Sequence, residues 1–242
     1  MATLYHYCST ETFAAIVNAK KIRLSSLNLS NDTMEGKLAS QILQEMASAR
    51  KCSLEVFSKL KSAMGYVESI LHGFGFCLSS EGDLLSQWRG YADDAHGISI
   101  GFDQGALTNL GGADLCQVEY SRGTQEEMLA PFLDAVLSDE KADLVDLVAN
   151  VVDKLFLMKS AAFSEEKEWR LLTSSSLVIG GWAIHARRSS LVPFRELGIN
   201  DGDITHVILG PKHQTPNDVV QRTLLLHGFR GVTVSRSKAT YR

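Results

Sequence analysis

The segment Phe163 to Leu172, FSEEKEWRLL, constrains this chain more than any other stretch of it. Read as a strand, EKEWRLL puts Glu166, Glu168 and Arg170 on one face and Lys167, Trp169 and Leu171 on the other. Trp169 and Leu171 mark a core face. The opposite face then carries two carboxylates roughly 6.5–7 Å apart along the strand. Carboxylates that close repel unless an arginine, a solvent path or a ligand compensates. The simplest compensation is an exposed ion-pair row, Glu168 with Arg170.

Three chemical readings compete with that row. The two glutamates can flank a sugar and stabilise an oxocarbenium-like transition state. Glu165-Glu166-Lys167 can be the E-x-K of a metal-dependent nuclease, with Asp153 as a further ligand, although this places Glu165 and Lys167 on the Trp169 face. Or the face binds a partner without chemistry.

The rest of the chain reads as alternating short strands and helices. TLYHYC predicts a first strand and STETFAAIVNA a helix, with Ser9 or Thr10 as N-cap and Phe13, Ile16 and Val17 on its apolar side. KIRLSSL predicts a second strand. Asp32 and Glu35 have capping-box spacing, and two helices follow across about residues 36–72. GFGFCLSS, GISIGFD and LCQVEYS read as strands, and EGDLLSQWRGYADDAH as a long polar loop or short helix. Residues 124–160 read as helical, with Leu144, Leu147, Val148, Val151, Leu155 and Met158 as a core stripe. The last third is strand-rich (EWRLLTSS, WAIHARR, SLVPFREL, THVILG, GVTVSRS), with one helix near 215–227. Without repeats or an evident linker, this predicts a single α+β domain over residues 1–242 with a helical insertion.

Composition narrows the class. At 242 residues the chain is long enough to bury a full core. No apolar run approaches the roughly 20 residues of a membrane span, and MATLYHYCST shows neither the basic nor the apolar region of a signal peptide. The four cysteines form no C-x-x-C, so neither a zinc site nor a disulfide framework is indicated. A reducing cytoplasm is the expected compartment. Charge is uneven: residues 1–184 hold 15 Lys/Arg against 24 Asp/Glu, and residues 185–242 hold 9 against 4. A basic C-terminal part with Arg187, Arg188, Arg236 and Arg242 suits an anionic ligand or simply a solvated face.

Further candidates come from the strand ends. LYHYCS sets His6 and Tyr7 on the first strand, and a lone strand histidine is more often structural than catalytic. LSSEGDLLSQWRGY brings Ser79, Ser80, Trp88, Arg89 and Tyr91 near another strand end, where aromatics usually cap a core but also stack on flat rings.

Taken in order, LYHYCS, NDTMEG, GFCLSS, SQWRGYADDAHGISIGF, EEKEWRL, VILGPK and SRSKATYR resemble an uncharacterised bacterial domain family. Its members carry H-Y-[TC]-S, N-D-x-x-E, W-x-x-Y, G-[IV]-x-I-G-F and E-x-E-W-R. The resemblance spans nearly the whole chain and extends, more distantly, to the ADP-ribosyltransferase superfamily, in the branch of RNA 2′-phosphotransferases and DarT-type toxins. It implies an ADP-ribosyltransferase-like fold, a split pair of small β-sheets around a cleft for NAD, the substrate; the absence of Cys/His ligand spacing and the poor facing of Glu165 and Lys167 add the expectation that no metal is needed. By that likeness His6 hydrogen-bonds a ribose of NAD. Glu168, or Glu166, holds the nicotinamide ribose and stabilises the cation left as nicotinamide departs. Tyr7, Ser79, Ser80, Trp88 and Tyr91 line the NAD site, with Trp88 and Tyr91 as candidates for stacking on nicotinamide. The acceptor is a protein, a nucleic acid or water. A toxin or phage-defence effector with an antitoxin or regulatory partner fits the same likeness.

Overall fold

A computed structural model describes residues 2–29, 37–138, 152–176, 180–187 and 189–240. The Asp32–Glu35 capping pair and Leu144, Leu147, Val148 and Val151 of the expected stripe lie outside them. The fold is mixed α and β, with one large open sheet of ten strands.

The first strand, β1 (Thr3–Cys8), leads into α1 (Thr10–Ala19), whose cap is Ser9: its Oγ accepts from the Thr12 N–H at 3.2 Å. Phe13, Ile16 and Val17 are the buried side of that helix, as their spacing predicts. Strand β2 (Lys21–Ser26) is followed by α2 (Lys37–Ala49), α3 (Leu54–Ile70) and β3 (Leu71–Ser79). Then come α4 (Leu85–Tyr91), β4 (Ile98–Asp103), α5 (Gln104–Thr108) and β5 (Asp114–Gln117). Helix α6 (Arg122–Ser138), the single turn α7 (Val152–Leu155) and a 3₁₀ turn at Ala161–Glu166 precede β6 (Glu168–Ser176). The chain closes with β7 (Ala183–Arg187), β8 (Ser190–Gly198), β9 (Ile204–Leu209), α8 (Asn217–Leu226) and β10 (Thr233–Arg236). Strand β10 lies parallel to β9, with α8 in the crossover, and the other strand pairs run antiparallel.

The sheet branches at β3. One edge of β3 pairs with β6 along its whole length, from Leu71 opposite Ser176 to Ser79 opposite Glu168. The other edge is shared: β1 meets it at Tyr5–Ser79, and β2 at Ser25–Gly75 and Ser26–Phe74. Between these points β1 and β2 diverge. β1 carries β4, β9 and β10 away on one wing, and β2 carries β8 and β7 away on the other. The expected pair of small sheets is thus one hydrogen-bonded sheet, joined through β3, with a gap between its wings.

Each face of the sheet buries a different core. Leu4, Ile100, Phe102, Phe74, Phe76 and Leu171 pack under Phe13 and Val17 of α1 and Val220 and Leu224 of α8. A second core joins α2, α3 and α6, through Ile42, Leu43, Leu60, Leu129 and Leu133, to Leu172 of β6. Adjacent residues of β6 therefore face opposite cores, as a strand's period of two requires. A small third cluster sets Trp88, Ala92 and Ala95 against Tyr7.

Three boundaries differ from the sequence reading. The glutamate run is not strand: Ala161–Glu166 is a 3₁₀ turn, Lys167 reverses the chain in the left-handed region at φ 45°, and the strand starts at Glu168. In 124–160 the described helices are α6 and the four-residue α7; beyond it Met158 bridges Glu119 in extended form. Helix α3 stops at Ile70, where pairing with β6 takes over. The short helix α5 was not anticipated; Asp103 caps it by accepting from the Ala106 N–H at 2.8 Å. Among the described residues no helix is long and apolar enough to cross a membrane.

Candidate functional site

The gap between β1 and β2 opens into a cleft of about 510 Å³, within the usual range for a small-ligand site. One side is built from His6 and Tyr7 of β1 with Ser9 and Thr12 at the start of α1. The other is built from Ser25 and Ser26 of β2 with His185 and Val192 of the β7–β8 hairpin. Cys77 of β3, Tyr91 of α4, Lys159, Glu166 and Glu168 complete it.

The acidic end is a closed ionic network. Glu168, the first residue of β6, is 5% exposed and Arg170 is 1% exposed. Both side chains lie on the face that Leu172 gives to the second core. Arg170 donates from Nε to Glu168 Oε1 at 2.7 Å and from a terminal nitrogen to Oε2 at 3.0 Å, a bidentate pair. Its other terminal nitrogen donates to the Phe156 carbonyl at 2.7 Å. Lys159 donates to Glu166 Oε2 at 2.5 Å and to Glu168 Oε2 at 3.1 Å. The Tyr91 hydroxyl donates to Glu166 Oε1 at 2.9 Å, and the Glu168 N–H donates to the Tyr120 hydroxyl at 3.0 Å. The ion pair read from the sequence is present, but buried rather than exposed, because the 3₁₀ turn and the Lys159 segment fold over it.

Burial by itself would raise the Glu168 carboxyl. Arg170, by charge and hydrogen bond, and Lys159, by charge, outweigh it and hold the group below the usual carboxylate range. Burial likewise opposes the Lys159 ammonium, yet Glu168 and Glu166 raise it above the usual lysine range. Burial and the neighbouring carboxylates push the Tyr91 phenol up, and the Tyr120 phenol to about 12. At neutral pH the network therefore contains the Glu168 carboxylate, a protonated Lys159 and two neutral phenols.

His6 lies on the β1 wall of the cleft. Its Nδ1 is 2.8 Å from the Cys77 carbonyl and its ring stacks on Phe76 at 4.0 Å. A carbonyl only accepts, so Nδ1 carries the proton and Nε2 keeps its lone pair. Burial lowers the His6 pKa to about 4, against a smaller opposing effect of the carbonyl, and the ring is neutral at physiological pH.

The other residues singled out in the sequence separate into two groups. Tyr91 reaches the cleft with 45% of its surface exposed. Trp88 does not: it is fully buried behind the wall, with Nε1 donating to Asp83 at 2.7 Å and its ring against the edge of Tyr7, so it offers no face for stacking. Tyr7 borders the cleft, but its hydroxyl is taken by the Glu81 carbonyl at 2.7 Å and the Leu84 N–H at 2.9 Å. Ser79 is buried and works on the backbone, donating to the Glu166 carbonyl at 2.7 Å and so fixing the turn that carries Glu166. Ser80 is exposed, outside the cleft lining, and its N–H meets the Lys167 carbonyl at 3.1 Å. The E-x-K residues do not gather: Glu165 and Asp153 are exposed, and exposed Lys167 pairs with Glu81 at 2.7 Å. Among the described residues no three of His, Cys, Asp and Glu group as metal ligands. Of the basic C-terminal residues, Arg236 donates to the His213 and Thr215 carbonyls, both at 2.8 Å. Arg188, Arg242 and the Arg187 side chain lie outside the described residues. Lys159 and Tyr120 carried no motif. The one trace of Lys159 is a charge ending the apolar run LFLMK.

A family model described as "Protein of unknown function (DUF2971)" matches residues 87–171, from α4 to β6. The matched stretch, about a third of the chain, includes Tyr91, Lys159, Glu166, Glu168 and Arg170 and excludes His6. No curated protein and no solved structure matches the chain.

Proposed function

We propose that the cleft binds NAD and transfers its ADP-ribosyl group to a macromolecular acceptor or to water, within an ADP-ribosyltransferase-like arrangement of the two wings. The observation that carries this reading is Glu168, an anionic carboxylate held by Arg170 in a cleft that the neutral His6 also lines. In such a reaction the bond between C1′ and nicotinamide breaks, and its electron pair leaves with nicotinamide. Positive charge develops on C1′ and the ring oxygen. A fixed carboxylate gains more from that charge in the transition state than in the ground state, and so lowers the barrier. The acceptor then bonds to C1′ and gives up a proton, for which Glu166 offers a carboxylate. His6 Nε2 suits a ribose hydroxyl as its donor, and the half-exposed Tyr91 ring suits nicotinamide.

The test is incubation of the full chain with NAD labelled in its adenylate half and cell extract, scoring nicotinamide release and the macromolecule labelled. Glu168→Gln keeps the size but removes the charge and one of the two acceptor oxygens, and turnover should fall on the order of 10²–10³. It also leaves Arg170 without its full counter-charge, so the melting midpoint drops and activity is read well below it. Glu166→Gln should retain more nicotinamide release and lose more transfer. Full activity in Glu168→Gln, or no release by the wild type, overturns the reading. Activity lost to EDTA and restored by magnesium would favour phosphodiester chemistry instead.

A further inference from the structure

Lys159 occupies a built position. Its N–H donates to the Glu119 carbonyl at 3.1 Å, and its carbonyl accepts from Gln125 Nε2 at 2.9 Å, itself a buried side chain. Gln125 also donates to the Glu119 carbonyl at 2.8 Å, so two segments and α6 hold this backbone in place. The side chain is 4% exposed and runs over the Phe163 ring to reach both carboxylates. The charged and titratable groups around it are Tyr91 of α4 and Glu166 of the 3₁₀ turn, Glu168 and Arg170 of β6, Tyr120 after β5, and Cys77 of β3. Among the described residues Arg170 is paired with Glu168, and the cation that reaches Glu166 is Lys159. Among the described residues, removal of that ammonium leaves the two carboxylates beside Arg170, which is bound to Glu168.

We propose that Lys159 is the positioning residue of this site, an ammonium that clamps the Glu166 and Glu168 carboxylates side by side so that both face the cleft. The proposal rests on the reading of Glu168 as the group that faces the ribosyl cation, but its first readout is independent of any substrate. Like charges left in contact cannot both ionise easily, and one of the pair takes up a proton. The balance restored by Lys159 is thus also a pH setting for the site.

The test compares wild type, Lys159→Met and Lys159→Arg as full chains. Glutamates carrying ¹³C at the carboxyl are titrated by NMR without ligand, and nicotinamide release is followed against pH. In Lys159→Met one carboxyl of the pair should titrate higher than in wild type. The acidic limb of the rate profile should rise with it, and kcat should fall on the order of 10²-fold, more than KM changes. Lys159→Arg should restore both readouts in large part. Unchanged carboxyl titration in folded Lys159→Met overturns the proposal. Should Lys159→Met not fold, Lys159→Met with Glu166→Gln is measured: the repulsion is gone, so folding with a low-titrating Glu168 supports the clamp. Failure of that double variant to fold assigns Lys159 to packing and overturns it. If no variant, nor the wild type, releases nicotinamide, the NAD reading fails while the titration still decides the clamp.

Discussion

At the scale of single residues, the branch in the sheet explains why His6 is where it is. Where β1 leaves β3, the Cys77 carbonyl lies between the two short pairings of that edge, and the imidazole N–H takes it at 2.8 Å. That contact uses a carbonyl to which neither short pairing extends. Its consequence is a pH dependence of stability. The His6 pKa falls from 6.5 to about 4 on folding, so between those values the unfolded chain binds a proton that the folded one does not. The contribution is favourable in full above 6.5 and is lost as pH falls towards 4. His6→Asn, which keeps a donor near the carbonyl but does not titrate, should flatten the melting midpoint between pH 6.5 and 4 relative to wild type. Equal slopes in the two proteins would remove His6 as their cause. Glu166 and Glu168 were readable from their spacing, whereas Lys159 was not: it is brought to them by a chain reversal that no local pattern encodes.

At the scale of elements, local signals worked where the element is stabilised locally. Helix α1 starts at a side-chain cap and shows its buried face at 3.6-residue spacing. Ser9→Ala should remove about 1 kcal/mol of stability, a fall in melting midpoint of roughly 2–4 °C for a chain of this length. Because Ser9 also borders the cleft, thermal melting without ligand is the measurement that isolates the cap. No change there would mean that packing alone sets the helix start. The opposite case is the segment before β6. Its apolar spacing reads as one helix through residue 160, but after α7 the chain takes the Met158–Glu119 bridge and then the 3₁₀ turn. Apolar periodicity reports a buried face; it does not report a switch of backbone partner from the helix to another strand.

At the scale of the whole molecule, β3 and β6 join everything. Leu171 is fully buried in the core under α1 and α8, and its neighbour Leu172 is 3% exposed in the helical core on the other face. If the two cores unfold together through this strand pair, Leu171→Ala and Leu172→Ala should each lower a single cooperative transition, by about 2–5 kcal/mol. Calorimetry showing two transitions, one moved by each variant, would instead mean two separately folding units. The cleft lies beside the same strand pair, so either variant should also loosen the Glu168–Arg170 pair and lower ligand affinity before the chain unfolds.

The sequence alone determined the strands and helices whose period and caps are local, the placement of Trp169 and Leu171 opposite Glu168 and Arg170, and the association of carboxylates with one strand end. These follow from backbone geometry and side-chain polarity within a few residues. The tertiary structure decided that the Glu168–Arg170 pair is buried, that Lys159 rather than solvent balances the carboxylates, that Tyr91 and not Trp88 reaches the cleft, and that His6 shares that cleft with Glu168. The shared cleft depends on where β1 and β2 part from β3, and the buried network on the turn and the Lys159 segment that fold over β6; both arise from contacts between residues far apart in the chain or across a chain reversal, which no local periodicity reports.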